Sequence, residues 1–337
     1  MSLPRRLVVR SGEPLRKTGR RRGRIPGQVV TDVNGVRRVM FIQVTDKATP
    51  VMLYLHGGLP EQFLAAWYPN RLDEHFTLAW WAERDAGLSA SRGIPRETLT
   101  AEQLVANTLS VTEFLRARFD KEKIFLMAHS GGTFIGLQAA VRVPELFSAY
   151  IGVAQVVHQL KSEMLAYEYS LRRFKQAGGR SMPHELEAAP TSLAAGIPDG
   201  YLAERDSGMH LLGVGTLWDE MLTTDLAKRV PQLAIPAYFL HGRYDYTVSY
   251  ELARAYAAQV RAPLTGFYTF DRSADNPLVE EPARASRILL EDVLGGVNDL
   301  ADAQVLTRCH VGAHRTPHVF GPVWADGRER HVDCIAS

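Results

Sequence analysis

The chain has 337 residues, 46% of them hydrophobic and 23% charged, and a formal net charge of +2 at neutral pH. This apolar content supports a sizeable core, in one large α/β domain with an insertion or two small domains, which excludes a wholly disordered chain, and the near-balanced charge excludes a molecule-wide field for nucleic acid. No apolar run approaches the ~18 residues of a membrane span and the start lacks the apolar segment of a secretory signal, so the expected localisation is cytoplasmic, with no membrane-spanning segment.

Residues 1–28 form a basic arm, with Arg5, Arg6, Arg10, Arg16, Lys17, Arg20, Arg21, Arg22 and Arg24 ahead of the first strand-like run. The arm has neither interleaved aromatics nor an amphipathic period, and is read as a solvated, disordered segment with no nucleic-acid partner. The ordered fold is expected to begin near Val29. There "VTDVNGVRRVMFIQV" places two β-rich runs around Asn34-Gly35, a pair suited to the positive φ angles of a tight hairpin turn.

Short apolar runs without alternation follow: "VMLYL" from Val51, "FTLAWW" from Phe76, "IFLMA" from Ile124, "AYIGVA" from Ala149, "AYFLH" from Ala237 and "GFYTF" from Gly266. They read as strands buried on both faces of a mostly parallel sheet. Helical segments separate them, one of which starts with Thr100 and Gln103 in capping-box spacing and carries Leu104, Val111, Leu115 and Phe119 along one face. The last helix, "ARASRILLEDVL", stops at Gly295-Gly296. Strand and helix in alternation predict a doubly wound α/β sheet with ligands beyond the carboxyl ends of its strands. The predicted core comprises residues 29–155 and 230–296. Residues 156–229, helical and irregular in pattern, are expected to form an inserted cap.

Three places carry candidate chemistry. "LYLHGGLPE" puts His56-Gly57-Gly58 after the first buried run, where the bends glycine permits aim backbone N–H groups at a substrate oxygen. "IFLMAHSGGTFIGLQAA" reads as strand, tight turn and helix, with Ser130 at the turn and the small residues Ala128 and Gly132 two positions either side. A nucleophile elbow requires that arrangement, because strand and helix must pass closely. Ser130 is therefore the candidate nucleophile, and Gly58 and Gly131 are the candidate oxyanion-hole donors. In "YFLHGRYDYTV", Asp245 lies just beyond a buried strand, as expected of an orienting carboxylate in the chain order serine, acid, histidine.

The segments "LHGGLPE", "WWAERDAGLS", "MAHSGG", "HGRYDYTV" and "SADNPLVEEP", in that order, resemble α/β-hydrolase-fold proteins of the proline iminopeptidase type over residues 29–294. The resemblance implies a serine hydrolase with a helical cap and no metal or organic cofactor, acting on small esters, amides or the N-terminal residues of short peptides. This chain departs from that pattern in three ways. Asp85 follows Arg84 where relatives carry glycine, and the cap is short after residues 213–216. In "FDRSADNPLVEEP", Asp275 stands where the resemblance expects the catalytic histidine.

An unperturbed carboxylate, with a pKa of ~3.9 against ~6.5 for imidazole, is the weaker base and cannot become the cation that Asp245 would stabilise. The expectation is thus a hydrolase impaired at its base, with His210 or a tail histidine as candidate substitutes. The alternative is an inactive small-molecule binding or sensing protein built on the same fold. Glu163, Glu168 and Glu204 of the cap are available to hold a substrate ammonium, although surface carboxylates are ordinarily just solvated. Residues 297–337 are expected to form a poorly ordered tail. It holds both cysteines, Cys309 and Cys334, and His310, His314, His318 and His331, with no tight Cys-x-x-Cys pair to signal a metal site.

Overall fold

The computed structural model describes residues 27–57, 72–81, 100–176 and 216–302. Eight strands form one sheet: β1 (Gly27–Val33), β2 (Val36–Gln43), β3 (Val51–Leu55), β4 (Thr77–Trp81), β5 (Ile124–His129), β6 (Phe147–Val153), β7 (Ala237–Gly242) and β8 (Thr265–Phe270). Their spatial order is β1-β2-β4-β3-β5-β6-β7-β8. β1 pairs antiparallel with β2, and β2 with β4; every other neighbouring pair is parallel. The hairpin turns at Asn34 and Gly35, both with positive φ (52° and 78°), as the Asn-Gly pair requires.

From β3 the chain winds outward to β4 on one side and to β5 on the other. The carboxyl ends of β3 and β5 therefore flank the point where the winding reverses, the usual place for a ligand in an open α/β sheet. Helices cover both faces. On one, α1 (Ala101–Phe119), α2 (Gly131–Arg142) and α6 (Tyr250–Gln259) pack against Leu53, Leu55, Leu126, Ala128 and Phe239. On the other, α8 (Pro282–Ile288) and a π-helical turn (Leu289–Val293) pack against Met52, Tyr54, Met127, Leu240 and Tyr268. Successive strand residues thus enter different cores, which is why these runs are apolar throughout.

Thr100 caps α1 by accepting from the Gln103 amide at 3.2 Å. The reciprocal half of the expected box is not made; the Gln103 side chain turns instead to Asn107 at 3.0 Å. Leu104, Val111 and Leu115 are buried along the helix, while Phe119 is only partly so.

Between β6 and β7 the described residues are helical: α3 (Gln159–Gln176), α4 (Thr216–Thr223) and α5 (Leu226–Arg229). After β8 come α7 (Pro277–Glu280) and then α8. The chain leaves its last helical turn through Gly296, at φ 67°, with Val297 N donating to Asp292 O at 2.9 Å. Residues 297–302, grouped by sequence with the tail, are instead laid along β8. Asn298 Nδ2 donates to Thr265 O, and Asp302 accepts from both the amide and the hydroxyl of Thr269.

Candidate active site

Ser130 sits between the last residue of β5 and the first of α2, with φ 49° and ψ −125°. A non-glycine residue in this region is strained, and it is held here because both flanking elements are fixed. The Ser130 amide donates to Val153 O of the neighbouring strand at 2.9 Å, and its carbonyl accepts from the amide and hydroxyl of Thr133. Helix and strand pass very closely. A Cβ at Gly132 would collide with the backbone carbonyl oxygens of His56 and Leu55. Ala128, which replaces the more usual small neighbour, fits because it faces Gly136, where an added Cβ would come within 2.8 Å of the alanine methyl.

Gly131 opens α2, so its N–H is among the helix-end donors that have no intrahelical partner. Gly58, the other candidate oxyanion donor, lies outside the described residues, as do Asp85, His210, Glu204 and the cysteines and histidines of residues 303–337. His56 is buried, and its Nδ1 lies 2.7 Å from Gly57 O, to which it donates.

Asp245 lies past the end of β7 and is 3% exposed. Its Oδ1 accepts from the amides of Thr247 and Val248, both at 2.9 Å. Its Oδ2 has no hydrogen-bond donor among the described residues and lies 3.2 Å from His241 Nε2, which itself is 3.1 Å from Val248 O. The 245 turn is tied to the loop after β8: Arg243 N donates to Phe270 O at 2.9 Å and Tyr244 N to Ser273 O at 3.0 Å. Helix α3 is also fastened to this turn. Gln159 Nε2 donates to Thr247 O, Ser249 N donates to Ser162 Oγ, and Tyr169 stacks on Tyr246 with ring centres 4.1 Å apart.

Asp275 is reached from β5, the strand that leads into Ser130. His129, the residue before Ser130 and 2% exposed, places Nε2 2.8 Å from the Asp275 backbone carbonyl and 3.2 Å from its Oδ2. Both partners are acceptors, so Nε2 carries the hydrogen. Burial pushes the Asp275 carboxyl up. The His129 hydrogen bond and charge, the neighbouring Ser130 hydroxyl and the charge of His241 outweigh that and hold it below the usual carboxylate range. The structure therefore brings together Ser130 and Asp275 with two histidines that sequence reasoning did not single out, His129 and His241. A signal for them existed: "LYLH", "LMAH" and "YFLH" end three buried runs in histidine, a polar residue at the carboxyl edge of an otherwise apolar sheet.

Of the candidate cap carboxylates, Glu163 is half-buried and accepts from Gln159 Nε2 at 3.0 Å, whereas Glu168 is exposed. Among the described residues no group of His, Cys, Asp or Glu side chains is arranged to hold a metal ion, and no helix is long and apolar enough to cross a membrane.

No family model matches the chain. A probable aminopeptidase of Bacillus subtilis is 26% identical over 289 residues, spanning 74% of this chain and 91% of that protein. Among solved structures, a proline iminopeptidase-related protein of Thermus thermophilus superposes with a TM-score of 0.57 at 20% identity, covering 80% of this chain and 97% of its own. An epoxide hydrolase of Vigna radiata gives 0.54 at 18% identity, over 82% and 100%. The chain has the α/β-hydrolase fold.

Proposed function

We propose that the chain is an α/β-hydrolase-type serine hydrolase that forms an acyl-enzyme on Ser130 from small esters, amides or N-terminal peptide bonds, and that it is impaired because Asp275 occupies the position of the catalytic base. The observation that carries the reading is the strained φ of Ser130 at a strand–helix junction beside the Asp275 carboxylate. The name of the Bacillus relative supports an N-terminal peptide or amide substrate.

In the acylation step Ser130 Oγ bonds to the carbonyl carbon, and the carbonyl oxygen takes up negative charge that the amides of Gly131 and Gly58 would stabilise. The hydroxyl proton must pass to a base, and the departing amine or alkoxide must collect a proton as its bond to carbon breaks. Water then cleaves the Oγ–C ester with the same proton traffic. An imidazole serves both steps because its pKa lies near neutrality. A carboxylate held below its usual range is a poor acceptor from serine, and its charge also opposes the developing oxyanion. Asp245 Oδ2 has no hydrogen-bond donor among the described residues, and in this reading its carboxylate would orient an imidazole introduced at position 275.

The test is Asp275→His, assayed with p-nitrophenyl acetate and amino-acid p-nitroanilides beside the unaltered protein. A gain in kcat/KM of about 10² to 10⁴, the usual worth of a positioned general base, is expected, and Ser130→Ala in the same background should abolish it. Equal rates for Asp275→His and the unaltered chain would refute the assignment. The alternative, a protein that binds such molecules without turnover, would be favoured by ligand affinity that survives Ser130→Ala together with no gain from Asp275→His.

A further inference from the structure

We propose that His129 is a positioning residue of this site: its ring clamps the loop carrying residue 275 onto the nucleophile strand through two contacts to that single residue, and so sets what is presented to Ser130. The inference rests on the reading of Ser130 as nucleophile. Its basis is geometric. His129 is the last residue of β5, buried, and bonded across 146 residues of sequence to the Asp275 carbonyl at 2.8 Å. That bond is to the backbone, so it is indifferent to the side chain at 275. The second contact, 3.2 Å to Asp275 Oδ2, depends on the aspartate.

The two contacts have different consequences. The backbone contact fixes the distance between the loop and Ser130, the residue next to the clamp in the chain. The side-chain contact stabilises the ionised carboxylate and so makes it a weaker proton acceptor. Other groups also face this carboxylate or its loop. Ser130 approaches from the elbow and His241 from β7. On the loop side, Glu280 accepts from Ala274 N, while Glu281 accepts from Arg272 N and Ser273 Oγ. The glutamates brace the loop from outside and His129 from inside.

The clamp makes a prediction that a merely buried histidine does not. In an Asp275→His background, His129→Leu removes the donor to the 275 carbonyl and is expected to lower kcat/KM for p-nitrophenyl acetate by about 10²-fold, the cost of a small misplacement at a reacting centre. His129→Gln, whose Nε2 reaches as far as the ring's Nε2, should recover most of that loss; His129→Asn, too short to reach, should not. Should the leucine variant fail to fold, the Gln and Asn variants alone decide, and equal rates for them overturn the proposal.

The second readout uses natural residue 275. In aspartate-labelled protein, with the Asp275 carboxyl ¹³C resonance identified by its loss in Asp275→Asn, the titration midpoint should move upward in His129→Gln, which cannot carry charge. An unmoved midpoint counts against the clamp. If instead Asp275→His itself gains no turnover, it is the serine-hydrolase reading that fails, and the titration still tests the His129 contact.

Discussion

At the scale of single residues, the carboxylate of Asp275 lies beside Ser130 and His129, and its ionisation has a measurable consequence for stability. The folded-state pKa of Asp275 is depressed, so its contribution is present above the unfolded-state value of ~3.9 and is lost as pH falls through the lower folded value. Urea midpoints for the unaltered chain should therefore drop more steeply than those of Asp275→Asn as pH is lowered from ~5 to ~3, across the unfolded-state carboxylate range. Superimposable pH profiles would show that the carboxylate gains nothing from His129 in the folded state. Sequence alone marks Asp275 as a departure from the pattern it resembles but does not show its partner. The spacing from His129 to Asp275 is set by sheet order, and the strand pattern marks His129 only as a polar residue in an apolar run.

At the scale of elements, the β5–α2 junction is legible because its requirements are local: a buried run, a serine between small residues, then a helix. The close approach is less obvious from sequence, since it involves β3, more than seventy residues upstream. Gly132→Ala would drive a methyl into the His56 carbonyl and within 2.7 Å of Leu55 O, both rigid backbone. Overpacking of this kind typically costs about 1–3 kcal/mol, and here it should also blunt Ser130 labelling by a fluorophosphonate, because relief requires α2 to shift away from β3. Thermal unfolding and labelling measured on the same sample should fall together, and a stable variant with normal labelling would show that the junction has slack. The start of α1 gives a milder case. The Thr100 hydroxyl accepts the Gln103 amide at 3.2 Å, so Thr100→Ala should cost about 1 kcal/mol in denaturant unfolding. The motif misleads about the reciprocal Gln103 contact because Asn107, one turn on, competes for the same side chain.

At the scale of the whole molecule, strand number, parallel pairing and the winding reversal follow from short apolar runs separated by helices, which sequence displays directly. What closes the far edge of the sheet does not show in such a pattern. β8 is an edge strand, and residues 297–302 cover part of it with polar contacts that no hydrophobic period announces. Asp302 accepts from the Thr269 amide at 3.1 Å and from its hydroxyl, and the same hydroxyl lies 2.7 Å from Tyr250 of α6. Asp292, 1% exposed, accepts from the Tyr268 hydroxyl at 2.7 Å and from Leu300 N at 2.9 Å. Burial, reinforced by that carboxylate, pushes the Tyr268 hydroxyl far up, so it remains a donor at any working pH. The segment therefore satisfies buried groups belonging to β8 and the last helical turn at once. A chain ended after Gly296 leaves Thr269 N without the Asp302 carboxylate and Asp292 without two of its donors, Leu300 N to its side chain and Val297 N to its carbonyl, at about 1–3 kcal/mol for each buried group stranded. It should unfold at a lower temperature than a chain ended after Asp302, and Asp302→Ala in the longer chain should account for part of the difference. Coincident melting curves for the two truncated chains would show that water serves the β8 edge as well as residues 297–302 do.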